Sequence, residues 1–95
     1  QSRDFVHVQD VVNANILAME TENEESFGEV FNIGSGSNIS VLDIAKLISD
    51  NYKFLPSRLG EAQHTLADIS KAKEILKFEP NGNVVDWINK ELKCY

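Results

Sequence analysis

Glu29-Val30-Phe31-Asn32-Ile33-Gly34-Ser35-Gly36-Ser37-Asn38-Ile39-Ser40-Val41-Leu42-Asp43-Ile44-Ala45-Lys46-Leu47-Ile48 is the stretch that decides the fold class. Its first five residues carry the β-formers Val30, Phe31 and Ile33 and read as a strand. The glycine- and serine-rich run from Gly34 to Asn38 reads as a loop. Ser40 followed by Asp43 is a short version of a capping box. Val41, Ile44, Ala45 and Ile48 then recur at i, i+3, i+4 and i+7, the apolar stripe of an amphipathic helix. A strand, a loop and a helix in one run point to an α/β fold.

The flanks repeat the alternation. Upstream, Phe5, Val6 and Val8, with His7 between them, predict a strand. Asp10 reads as the N-cap of a helix over Val11 to Glu20, with Val12, Ile16 and Met19 on one face. Thr21 to Ser26 is an acidic surface loop, and Gly28 turns the chain into the next strand. Downstream, Tyr52 to Leu55 predicts a short strand, with Leu55 held extended by Pro56. Asp68 caps a helix that turns Ile69, Ala72, Ile75 and Leu76 inward. Pro80-Asn81-Gly82 is a turn, and Asn83 caps a last helix carrying Val85, Ile88 and Leu92, with Trp87 beside them. Two or three short strands with about four helices make a poor free-standing sheet. The set is expected to pack against something else.

A chain of 95 residues is one small domain at most. Hydrophobic residues at 42% and charged residues at 25% suit a soluble globular protein rather than a disordered one. The net charge of −6 argues against a nucleic-acid partner, which needs a basic face. No long apolar run is present, so no membrane partner is expected. The single Cys94 forms no disulfide within the chain and suits a reducing, cytoplasmic setting. Gln1-Ser2-Arg3 leads straight into a strand pattern without an initiating Met, which suggests a start inside a larger protein; a processed terminus would look the same. His7 and His64 lack the spacing of metal ligands, so no metal is expected. No Ser-His-Asp or Cys-His arrangement can be argued from these spacings, and no catalytic residue is assigned.

Two arginines carry the binding chemistry. Arg3 sits at the edge of an apolar strand, where its stem packs while its head reaches a cleft. Arg58 sits in Pro56-Ser57-Arg58-Leu59-Gly60-Glu61, a loop whose proline and glycine restrict its direction. Two planar guanidinium groups suit a diphosphate. Glu61 has two readings at this point, an acceptor for ribose hydroxyls or a partner for a neighbouring cation. Gly34-Ser35-Gly36 follows a predicted strand, as a dinucleotide fingerprint would, but the third glycine position holds Ile39. It also lacks the lysine of a P-loop. A plain turn and a supporting ligand contact that includes Asn32 both remain open.

Five motifs in order then meet a family. Arg3-Asp4-Phe5-Val6-His7-Val8-x-Asp10, Val30-Phe31-Asn32-Ile33-Gly34-Ser35-Gly36, Ile39-Ser40-Val41-Leu42-Asp43-Ile44-Ala45, Pro56-Ser57-Arg58-Leu59-Gly60-Glu61-Ala62 and Leu66-Ala67-Asp68-Ile69-Ser70-Lys71-Ala72-Lys73-Glu74-Ile75-Leu76-x-Phe78-x-Pro80 resemble the C-terminal part of the NAD-dependent nucleotide-sugar epimerase/dehydratase family. These are extended short-chain dehydrogenases, and the UDP-glucose 4-epimerase type is nearest. The resemblance implies that residues 1–95 are a substrate-binding segment of a larger enzyme whose Rossmann domain lies elsewhere. It implies that Arg3 and Arg58 grip the nucleotide diphosphate, that Glu61 holds the ribose, and that Asn32 lines the same cleft. The family more often has Asp where Glu61 stands, and Phe5 lacks a hydroxyl that the position can carry. The implied reaction is hydride transfer between sugar C4 and NAD, with a nucleotide-diphosphate sugar as substrate. A 4,6-dehydratase or a decarboxylase stays open, as does a stand-alone non-catalytic nucleotide-sugar binding module. The family's Tyr-x-x-x-Lys is absent, since Tyr52 is followed at that offset by Pro56. The chain alone is therefore expected to bind no NAD and to be inactive. The parent would be a homodimer formed through its other domain. The connection between Asp50 and Pro56 is shorter than usual for the family, which leaves the register of Tyr52 to Leu55 open.

Overall fold

His7, rather than Asp10, starts the first helix. Its Nδ1 accepts the Gln9 N–H at 2.9 Å, and the helix α1 runs over Val8–Glu20. A ring nitrogen thus supplies the N-terminal acceptor that a hydroxyl or carboxylate usually gives. Asp10 falls in the first turn, only 2% exposed, and its carboxylate accepts the N–H groups of Asn81 at 3.0 Å and Gly82 at 2.8 Å. The aspartate read as a cap is a pin between distant segments.

The computed structural model describes residues 1–56 and 58–92; Ser57 and Cys94 lie outside them. Strand β1 is Ser2–Arg3 and pairs antiparallel with β2, Ile39–Ser40. A parallel bridge joins Ser2 to His64 on β1's other side. The ladder predicted over Phe5 to Val8 does not form. Past Arg3 the Asp4 carboxylate binds loop N–H groups, and His7 commits the next residues to α1.

Residues 29–33 are extended in pattern but carry no ladder. Phe31 and Ile33 pack on the core while Val30 and Asn32 are exposed, so the alternation is right and the pairing partner is lacking among the described residues. Tyr52 to Leu55 also forms no strand, and instead Tyr52 and Phe54 pair edge to face at 5.9 Å. The helix α2 covers Val41–Ile48, and Ser40 Oγ accepts the Asp43 N–H at 3.0 Å.

Asp68 accepts from Ser70 ahead of a π-wound turn, Ala72–Leu76, which places Ile69, Ala72 and Leu76 inside as predicted. Lys77 ends it in the left-handed region at φ 60°. Asn83 Oδ1 caps α3, Val84–Leu92, through the N–H groups of Val85 and Asp86. Within α3 Ile88 is buried and Val85 half-buried, while Leu92 and Trp87 are exposed. The Trp87 ring meets His7 edge to face at 6.3 Å, tying α3 to the start of α1. Gly82 makes room for this join, because a Cβ there would run into the His7 side chain.

The core is small. Ala14, Ile69, Ala72 and Phe78 form it, with Leu17, Phe31, Ile33 and Ala67 packed around them. The chain is a slab of 50 × 37 × 14 Å with a radius of gyration of 16.2 Å. A compact domain of this length would have a radius of about 12 Å. Its accessible surface is 7343 Å², against about 5,500 Å² for a compact monomer of this mass. Met19, Val30, Phe54, Leu55 and Leu59 are among the large apolar side chains left in solvent. No described helix is long and apolar enough to cross a membrane.

Candidate functional site

Arg58 and Glu61 close a tight turn. The Glu61 N–H donates to the Arg58 carbonyl at 3.2 Å, and the Arg58 N–H donates to Glu61 Oε2 at 3.2 Å. Gly60, at φ 81°, supplies the left-handed step that this turn requires. Both side chains are on one open groove of about 570 Å³, lined also by Tyr52, Lys53, Gln63 and the α2 residues Val41, Leu42 and Ala45. In a chain of net charge −6, this groove holds two cations, Lys53 and Arg58, beside one carboxylate. Lys53 was not singled out in the sequence, although it lies in the same loop as Arg58.

Arg3 approaches this loop from β1. Its Nη1 donates to Ser2 O at 2.7 Å and Gln63 O at 3.2 Å, and its Nη2 donates to Ala62 O at 2.7 Å. The guanidinium therefore clasps the end of the Arg58–Glu61 loop. Three of its five N–H donors are used in this way, leaving Nε–H and one Nη2–H for a ligand. Asn32 is exposed and is not among the residues lining the groove. The structure thus brings Arg58 and Glu61 together on the groove, while Arg3 does not line it and reaches the loop only through the Ala62 and Gln63 carbonyls, and Asn32 is left apart.

Asp4, which the sequence reading passed over, organises the glycine-rich loop. Its carboxylate accepts the N–H groups of Ser35 at 2.9 Å, Gly36 at 3.1 Å and Ala67 at 3.3 Å, and the Ser35 hydroxyl at 2.5 Å. The N–H groups that a dinucleotide phosphate would need at Ser35 and Gly36 are already occupied by an anion, so this loop does not fit NAD. Burial works against the charged form of Asp4, but the Ser35 hydroxyl and the three N–H donors outweigh it and hold its pKa below the ordinary 3.8. A carboxylate with a lowered folded pKa stabilises the fold fully above its unfolded value, and that stabilisation is lost as pH falls through the folded pKa. Thermal melts between about pH 6 and pH 2.5 are expected to fall in midpoint below pH 4, and Asp4→Asn should start lower and lose less over that range. An equal acid-induced loss in both proteins would remove Asp4 from this role.

Residues 1–34 match the model of the NAD dependent epimerase/dehydratase family. The chain is 34% identical over 98% of its length to 30% of the UDP-glucose 4-epimerase of Mycoplasma genitalium. The chain belongs to the NAD-dependent epimerase/dehydratase family. Over its full length it superposes with a TM-score of 0.81, at 35% identity, on 33% of the Bacillus cereus UDP-glucuronic acid 4-epimerase solved with UDP-glucuronic acid and NAD. The Thermotoga maritima UDP-glucose 4-epimerase solved with UDP-glucose gives 0.72 at 38% identity, covering 96% of this chain and 32% of that one. The α/β class expected from the sequence agrees with these epimerase folds. The chain spans about a third of the length of the relatives it matches.

Proposed function

We propose that residues 1–95 form the substrate-binding segment of an NAD-dependent UDP-sugar 4-epimerase, with Arg58 and Arg3 anchoring the diphosphate and Glu61 accepting from the ribose. The observation that carries this reading is that Arg58 and Glu61 share one groove in a segment that superposes along its whole length on an epimerase solved with its UDP-sugar and NAD. Glu61 keeps one carboxylate oxygen beyond its bond to the Arg58 backbone N–H, which leaves it an acceptor for the ribose.

In this reading a Rossmann-type domain outside residues 1–95 would hold NAD, which would supply the hydride chemistry at sugar C4. The excess accessible surface of about 1,800 Å² over a compact monomer exceeds the ~800 Å² that each partner of a standard interface buries. This chain's own residues supply anchoring. Holding the diphosphate fixes the reacting carbon, so remote binding energy lowers the barrier at C4.

The test is an assay for UDP-glucose and UDP-galactose interconversion with NAD. Activity is expected in the complete enzyme and none in residues 1–95 alone. Turnover by the isolated segment would overturn the division of labour.

A further inference from the structure

Among its described residues, the loop that carries Arg58 and Glu61 has no long-range hydrogen bond before Ala62. Among the described residues from Ser49 to Glu61, every hydrogen bond is local: Ser49 N–H to Ala45 O, Asn51 N–H to Ser49 Oγ, and the Arg58–Glu61 turn. The first long-range bonds come at Ala62, Gln63 and His64, and all of them lead to β1. Two are the Arg3 bonds described above. The rest converge on Ser2, whose N–H donates to Gln63 O at 2.8 Å and whose carbonyl accepts the Thr65 N–H at 3.0 Å. The Ser2 hydroxyl and His64 Nδ1 share a part-buried hydrogen bond of 2.7 Å. With the imidazole proton on Nε2, the hydroxyl donates to Nδ1. With it on Nδ1, the ring donates to the hydroxyl.

The geometry points to Ser2 and His64 as a positioning pair for the nucleotide-sugar groove: it fixes where the loop leaves β1, and so where Arg58 and Glu61 present their groups to a diphosphate and ribose. This rests on the function proposed above. Neither Ser2 nor His64 lines the groove, but Gln63, directly before His64, does. Glu61 lies three residues from this tether. A shift of about 1 Å in a binding group is enough to lose much of its effect. The pair touches no ligand in this account and acts only through the loop.

The test uses the complete enzyme, with UDP-glucose titrated calorimetrically and with steady-state rates. Ser2→Ala and His64→Ala are each expected to raise Kd and KM about tenfold, the size of one hydrogen bond, with kcat within about twofold of the parent. The double variant should be no weaker than either single one, because the two groups make one bond. His64→Asn, whose side-chain oxygen lies close to where Nδ1 was, should keep most of the affinity. It also guards against misreading a folding defect in His64→Ala. Unchanged Kd in Ser2→Ala and His64→Ala, with Arg58→Ala weakened, would overturn the positioning role and leave the groove assignment standing. Additive losses in the double variant would overturn the pairing. An unchanged Kd in Arg58→Ala would overturn the groove assignment itself, and this inference with it.

Discussion

Phe78→Ala is expected to lower the unfolding free energy by about 3–5 kcal/mol, the usual cost of removing a buried aromatic ring. Phe78 is 1% exposed and lies in the core with Ala14, Ile69 and Ala72. Two of those neighbours are alanines, too short to move into the space that the ring leaves. The backbone offers no easy collapse, since the Phe78 N–H is held by Ala72 O at 3.2 Å directly after the left-handed Lys77. Small proteins have about 5–15 kcal/mol of stability in all, so this one change removes a large fraction of it. Urea unfolding of the variant against the parent measures the effect. A loss below about 1 kcal/mol would show that the core is organised around other residues.

Arg58→Ala is expected to weaken UDP-sugar binding by about 10- to 150-fold, the equivalent of the 1.5–3 kcal/mol that hydrogen bonds to charged groups contribute. Among the described side chains lining the groove, Lys53 is the one other cation, and the Arg3 head is partly committed to Ala62 and Gln63 carbonyls. No other side chain lining the groove can replace a planar fork of donors. Arg58→Lys should recover part of the loss, since it restores the charge but not the two-pronged geometry. Calorimetric titration with UDP-glucose at fixed salt checks both variants. Equal affinities in Arg58→Ala and the parent would take Arg58 out of the site.

The parts of the fold that were legible in the sequence are those whose determinants are local. Ser40, Asp43 and the stripe Val41, Ile44, Ala45 lie within six residues, and α2 formed where they place it. Asn83 capped as read, because a cap bonds to N–H groups two or three residues away, whereas Asp68 bonds only the Ser70 N–H and does not cap the Ala72–Leu76 turn. The strands were misplaced because a ladder needs a partner from elsewhere in the chain. Phe31 and Ile33 have the right alternation and no neighbour to pair with among the described residues. Asp10 illustrates the same limit, since its N–H donors lie 71 and 72 residues downstream, out of reach of any window-based reading. The Asp4 donors lie 31 to 63 residues away and left no local trace.

The site divides along the same line. Arg58 and Glu61 are three residues apart around a glycine, so their joint presentation was legible. Arg3 was legible as a cation near a cleft, but its hold on carbonyls 59 and 60 residues away was not. Ser2 and His64 are separated by 62 residues and gave no signal at all.

The central claim is that the groove beside α2 receives the diphosphate of a UDP-sugar. A crystal structure of the complete enzyme with UDP-glucose and NAD tests it most directly. The diphosphate is expected within hydrogen-bonding distance of the Arg58 guanidinium and the ribose at Glu61. A nucleotide seated elsewhere, with Arg58 in solvent, would contradict it.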